Sequence, residues 1–332
     1  MSNSTLDEVV VAIRNDSIGG AADMAREAAR AITAVAVEAE ATGEDAGFAV
    51  DGAVDALLAV TPSIAPVLNV LHAAVDSVEE ASAAGDAARA VIDSMTRFRE
   101  RLDQALEAIS SIGAEMIRDG DRIFTYSISS TVWGIFRQAR AQGKHFDVVA
   151  TESRPANEGL WNITELGKDD IPVTMGIDAA MGTLMRGCSM FVVGSDGIAS
   201  NGACLCKIGT FPAATVAREL GIPTHVAADT SKFDPLTLLG FPFKIREMPH
   251  RDIVTEPTPN LTVRNPIFDV TPAHLVAAII TERGILHPAA ASTVLGAMRQ
   301  SERLTEKLQI WVAQRDNTGV LTAVATHAGG SE

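Results

Sequence analysis

The residues best placed to do chemistry lie between Phe191 and Thr210, FVVGSDGIASNGACLCKIGT. An apolar run ends on one carboxylate, Asp196, and is followed by an amide, Asn201, by Gly202 and by a cation, Lys207. Loops beyond the carboxyl ends of strands form the ligand crevice of an open parallel sheet. Asp196 at such an end, with Asn201 on the loop and Lys207 at the next helix start, predicts a pocket for a small anionic molecule. Partial burial would raise the carboxyl pKa and fit it for proton transfer. A lysine at a helix start opposes the macrodipole, which favours a ligand role for Lys207. Arg154, just before Pro155, is a fork donor suited to phosphate oxygens. Gly19 and Gly20 read either as a backbone cradle for an anion or as helix punctuation. Asp229, Lys232 and Asp234 in ADTSKFDP are expected to shape a loop at the crevice edge.

Composition narrows the classes. The chain has 332 residues, 47% of them hydrophobic, enough for one large or two modest domains with a substantial core. A formal charge of −15 argues against nucleic acid and anionic membranes as partners, because both need a positive footprint. Aromatic residues make up only 5%, so stacking platforms for single strands are not expected. Three cysteines fit a reducing compartment better than a disulfide scaffold. Cys204 and Cys206 form a lone C-x-C with no second ligand pair, which argues against zinc. Neither a secretory leader nor a spanning apolar stretch is apparent, and a cytoplasmic protein is expected.

Two textures divide the chain. Residues 1–118 read as helical throughout, from the alanine-rich GGAADMAREAARAITAVAVEAEA, through a helix beginning at Thr61–Pro62, to the long amphipathic AARAVIDSMTRFRERLDQALEAISSIGAEMI. Residues 119–332 alternate short apolar runs with helical stretches: RIFTYSIS, FDVVATES, IPVTMGI, MFVVGS, PTHVAA and FKIREM as strands, TVWGIFRQARAQ, DAAMGTLMRG and FPAATVAREL as helices. That alternation predicts β-α-β crossovers and a Rossmann-like α/β layer after the helical domain. The segment from Ile280 onward is expected to return to helix, with a frayed tail after Asp316. No G-x-G-x-x-G follows a strand and opens a helix, which argues against a nicotinamide-dependent dehydrogenase.

FDVVATESRPANEG, MGTLMRGCSMFVVGSDGIASNGACLCKIGT, VAADTSKFDP and NPIFDVTPAHLVAAIITERGIL, in this order, resemble the superfamily of the translation initiation factor 2B α, β and δ subunits, methylthioribose-1-phosphate isomerase and ribose-1,5-bisphosphate isomerase. IRNDSIGGAADMAREAARAI resembles the first motif more faintly. The resemblance implies a helical domain followed by a Rossmann-like domain, a pocket between them, and assembly as a homodimer or larger oligomer; no cofactor or metal is expected. It carries over Glu152, Arg154, Asp196, Asn201, Gly202 and Lys207 as matching positions, with Asp196 as the catalytic acid of G-[AS]-D-x-I. The family's catalytic cysteine, in T-H-C-N, is replaced by Ser127 in Thr125-Tyr126-Ser127-Ile128. Gly19 and Thr61 stand where the family often has a basic residue, and Cys206 stands where it has the asparagine of N-K-I-G-T.

These readings predict an aldose–ketose isomerase acting on a small phosphorylated metabolite, with fewer basic positions than the bisphosphate enzymes have. One group must take a proton and another must deliver one. A serine hydroxyl cannot do either at neutral pH without an adjacent base. Tyr126, Cys206 (whose thiolate the adjoining Lys207 would favour) and a water remain as partners for Asp196. The other reading is a non-catalytic sugar-phosphate or nucleotide sensor, which the lost cysteine favours.

Overall fold

The computed structural model describes residues 4–15, 18–61, 64–81 and 86–316. Five helices come first: α1 (Ser4–Arg14), α2 (Ala21–Thr42), α3 (Ala46–Leu58), α4 (Ala65–Ala81) and α5 (Ala87–Met116). In α2, Ala25, Ala28, Ala29, Ile32, Ala36 and Ala39 recur at three and four residues and form one buried stripe. The helix ends at Gly43, whose φ of 72° is left-handed and lets its N–H return to the Ala39 carbonyl. Asp45 then caps α3 by accepting from the Phe48 N–H at 2.8 Å. Helix α4 is buried on nearly every side and runs through the centre of this layer. The helix expected from Thr61–Pro62 begins at Ala65; Thr61 is buried just ahead of it, and Pro62 lies outside the described residues.

The buried face of α4 includes His72, whose two ring nitrogens have no hydrogen-bond partner among the described residues. Burial lowers its pKa from 6.5 to about 4. The neutral ring costs nothing extra above pH 6.5. Below it the unfolded chain takes up a proton that the folded chain refuses, so stability falls until about pH 4. The full loss is about 3 kcal/mol. Burial also raises the Asp234 pKa to about 6, and that group works in the opposite sense, restoring stability as pH falls through the same range. The comparison with His72→Leu isolates the histidine: the stability of the variant relative to wild type, read from denaturation midpoints, should rise steadily from pH 7 to pH 4. A constant difference would mean that His72 does not titrate on unfolding.

The α/β layer follows. It contains β1 (Arg122–Thr125), α6 (Ser130–Ala141), β2 (Asp147–Thr151), α7 (Trp161–Gly167), β3 (Val173–Gly176), α8 (Met181–Leu184), β4 (Met190–Gly194), β5 (Gly197–Ile198), β6 (Cys204–Lys207), α9 (Thr210–Glu219), β7 (Thr224–Ala227), β8 (Phe268–Thr271), β9 (Ala278–Thr281), β10 (Gly284–Leu286), α10 (Ala291–Gly296) and α11 (Glu302–Asp316). Seven strands form one sheet in the order β10-β9-β7-β4-β1-β2-β3, parallel except for β10. The chain builds outward through β2 and β3, then returns to the other side of β1 with β4. The strand order therefore reverses between β1 and β4, the position at which open sheets of this kind form their ligand crevice. The central strands are apolar on both faces because helices cover both.

Helix α5 ties the layers together. Val91, Met95, Phe98 and Leu102 pack into the helical core, whereas Ile109 and Ala114 pack against β1, β2 and α6. Leu304 and Leu308 of α11 return to the helical core as well. No helix among the described residues is long and apolar enough to cross a membrane.

Three expectations need correction. FKIREM is no strand; it makes one isolated bridge, Glu247 to Pro266, and alternates between exposed and half-buried positions with no ladder beside it. The loop after β4 contains two further strands, which join β8 in a three-stranded antiparallel sheet. The segment after Ile280 first completes β9 and turns through β10 before helix resumes at α10. The tail after Asp316 lies outside the described residues.

Candidate active site at the strand-order reversal

Ser127 lies two residues beyond β1 with a φ of 62°, a left-handed value that non-glycine residues seldom adopt. Its surroundings hold it there. The Ser127 N–H donates to Ser153 Oγ at 2.8 Å. Its carbonyl accepts from Asn162 Nδ2 at 2.9 Å, and Asn162 Oδ1 in turn accepts from the indole N–H of Trp133 at 2.7 Å. Asp178, after β3, accepts from the N–H groups of Ser153 at 2.9 Å and Arg154 at 2.7 Å. The ends of β1, β2 and β3 are thus tied together beneath one hydroxyl. Ser127 Oγ donates to Glu158 Oε1 at 2.5 Å. Lys207 Nζ meets the same oxygen at 2.9 Å, and the side chains of Lys207 and Glu158 are only 16% and 17% exposed.

Asp196 lies two residues beyond β4, its N–H donating to the Leu205 carbonyl at 2.9 Å. The backbone N–H of Ala21, the first residue of α2, acts on its carboxyl group and favours the charged form. Burial pushes its pKa up. The positive charges of Lys232 and Lys207 and the Ala21 N–H pull it back, the charge of Glu158 raises it again, and the net shift is upward. Lys232 is 6% exposed, on a short 3-10 turn from Thr230 to Lys232. Asn69 of α4 pins that turn by donating to the carbonyls of Ser231 at 2.6 Å and Phe233 at 3.0 Å. The helical layer therefore supplies two parts of the site: a helix start at Asp196 and an anchor for the Lys232 turn.

The remaining candidate residues are placed unevenly. Gly20 is the N-cap of α2 and Gly19 precedes it, where an added Cβ would lie 2.6 Å from Asp23 Oδ2. Lys207 ends β6 and does not open a helix; α9 begins at Thr210. The start of α9 is filled by Asp269 of β8, which accepts from Gly209 N–H at 2.8 Å and Phe211 N–H at 3.1 Å. Burial raises the Asp269 pKa to about 6 against those donors. Cys206 alternates with Lys207 along β6 and points into the core; it is fully buried and its thiol is pushed well above the ordinary value. A thiolate favoured by Lys207, as the sequence suggests, does not form in those surroundings. Tyr126 is also buried, with its phenol raised by burial and by nearby carboxylates.

Asn201 and Gly202 form the tip of the β5–β6 hairpin, where Asn201 Oδ1 accepts from the Ala203 N–H at 3.0 Å. Gly202 has a φ of 80° and presses against the Pro288 carbonyl, 2.4 Å from where a Cβ would lie. Glu152 extends the β2–β3 ladder by donating its N–H to the Gly176 carbonyl at 3.0 Å. Arg154 is exposed, its guanidinium donating to the carbonyls of Pro155 and Asp252, each at 3.2 Å. Sequence reasoning missed Glu158 and treated Lys232 as loop scaffold. Glu158 carries no spacing signal, and only the turn of the chain after Pro155 brings it to Ser127. Lys232 lies inside a recognisable motif, but its burial next to Asp196 is a tertiary fact.

A family model described as the initiation factor 2 subunit family matches residues 17–288. The chain belongs to the initiation factor 2 subunit family. Among curated members, ribose 1,5-bisphosphate isomerase of Haloferax volcanii is 36% identical over 276 residues, covering 82% of this chain and 85% of that protein. The enzyme of the same name from Thermococcus kodakarensis is 35% identical, covering 87% and 92%. A putative translation initiation factor eIF-2B subunit 2-like protein of Pyrococcus horikoshii is 42% identical, over 58% of this chain and 67% of that one. The crystal structure of P. horikoshii translation initiation factor eIF-2B superposes with a TM-score of 0.73 at 32% identity, covering 86% of this chain and 98% of that chain. The family fold is that of the helical layer and parallel sheet described above.

Proposed function

We propose that this family member is an aldose–ketose isomerase of a phosphorylated sugar. The observation that carries the reading is the placement of Ser127 and Asp196 at the ends of β1 and β4, on either side of the strand-order reversal, with two shielded lysines beside them. Isomerisation needs a protonated acid beside a carbonyl oxygen, and the raised affinity of Asp196 for its proton suits that role. Lys232 and Lys207 stabilise the developing enediolate in a site largely screened from water. The isomerase names of the full-length relatives support the same class. Arg154 and the helix start at Gly19–Gly20 are the proposed phosphate contacts, with Glu152, Asn201 and Gly202 shaping the rim.

The test is a turnover assay on a panel of aldose phosphates that includes ribose 1,5-bisphosphate, read as ketose formation by NMR. Ketose product from at least one member is the expected result; saturable binding without turnover across the panel would favour a sensor instead. That second reading draws on the eIF-2B-like relative and on serine at the family's cysteine position. A homodimer is proposed as the working assembly, supported by the exposed apolar side chains Leu160, Trp161 and Ile163 beside the site. Light scattering that found only monomer would exclude it.

A further inference from the structure

We infer that Glu158 is the proton acceptor that replaces the family's thiol, acting through the Ser127 hydroxyl. The inference rests on the isomerase reading above and supplies the second group that the sequence left open. Three observations carry it. Ser127 Oγ donates to Glu158 Oε1 at 2.5 Å, so the hydroxyl proton already points at a carboxylate. Lys207 Nζ holds the same oxygen at 2.9 Å and so fixes the carboxylate. The Ser127 backbone is set by bonds to Ser153 and Asn162, which aim its side chain from an unusual left-handed conformation. The alternatives weaken on the same geometry: Cys206 faces the core, and the Tyr126 phenol is buried.

Strand β6 links the two acids: the Leu205 carbonyl accepts from the Asp196 N–H at 2.9 Å, and Lys207, two residues on, holds Glu158. For an aldose phosphate whose carbon 1 oxygen is not esterified, the proposed step has Ser127 Oγ take the proton from carbon 2 of the open-chain form as its own proton passes to Glu158. The C–H electron pair becomes the double bond between carbons 1 and 2, and the carbonyl oxygen on carbon 1 takes the proton of Asp196. The enediol then collapses: the hydroxyl on carbon 2 returns a proton to Asp196, carbon 1 takes the proton from Ser127, and Glu158 restores the serine hydroxyl. Nothing is oxidised or reduced overall, and both acids end as they began. A hydroxyl without a base could not do this, whereas one paired with a carboxylate can.

Glu158 acts through another residue, so its test needs a readout that mere packing would not move. With the substrate found in the panel, Glu158→Gln keeps the shape of the side chain and should lower kcat by about 100-fold or more with KM changed less than about threefold. Incorporation of solvent deuterium at carbon 1 of the product should fall with it. Ser127→Ala should be as damaging. A thiol ionises without a partner carboxylate. The double variant Ser127→Cys, Glu158→Gln should therefore recover at least about tenfold over Glu158→Gln alone. Wild-type-like turnover in Glu158→Gln would overturn the proposal and leave the isomerase reading standing. Activity retained in Ser127→Ala but lost in Glu158→Gln would overturn the relay. No ketose from any substrate with the wild-type protein would take down both.

Discussion

Asp196→Asn should abolish most turnover, on the order of 10³-fold, while the protein folds as before. The amide keeps the shape of the side chain and still offers a carbonyl oxygen to the Ala21 N–H that acts on this position. What it loses is the proton. Burial raises the folded-state pKa of Asp196 above its ordinary value, so at neutral pH, where the unfolded chain is ionised, that shift costs folding stability. That cost disappears as pH falls and the group is protonated in both states. The neutral amide should therefore leave stability unchanged or higher at pH 7, with the advantage vanishing in acid. Activity and denaturation midpoints measured on the same preparation would separate the roles. A variant that is both inactive and markedly less stable at pH 7 would mark Asp196 as structural.

Gly209→Ala should cause a large loss of stability. Gly209 has a φ of 101°, and a Cβ built there would lie 2.1 Å from Tyr126 Oη and 2.6 Å from its Cζ. Tyr126 is buried against Ser153 and has nowhere to retreat. The Gly209 N–H also donates to Asp269 at 2.8 Å, so a backbone shift would uncap α9. Strain, overlap and a weakened cap together should cost about 3 kcal/mol or more. Denaturant titration checks this, and a midpoint within experimental error of wild type would show that the turn can open without disturbing Tyr126. Gly120, with a φ of 82° but nothing within 4 Å of where a Cβ would lie, is the control for strain alone.

The parts of the fold that could be read from the chain are those with long, one-sided or unbroken apolar patterns. MFVVGS is apolar on both faces because β4 is central, and the stripe in α2 shows its 3.6-residue period directly. Asp196 was legible because it follows such a strand. Strands β5 and β6 were not, since Gly197–Ile198 is too short to show a period and the turn between the strands is rich in glycine, serine and asparagine. FKIREM shows alternation but pairs at a single bridge, and alternation alone does not make a strand. The site divides the same way. Asp196 and Lys207 lie on one continuous segment and could be paired by eye. Glu158 and Ser127 are 31 residues apart, and their meeting depends on the packing of the loop after β2 against Ser153 and Asn162. Cys206 misled because adjacency in a strand means opposite faces.

The Ala21 N–H at the start of α2 lowers the proton affinity of Asp196 beyond β4, which gives the two halves of the molecule a shared stake in acidity. A donor at a helix start favours the charged form of a carboxyl group. Should α2 swing away from the sheet, Asp196 would hold its proton more tightly; when α2 settles back, the proton becomes easier to give up. Closure of the helical layer over a guest would thereby tune the acid at the moment the guest is enclosed, and a chain with the crevice open would be poorly set for transfer.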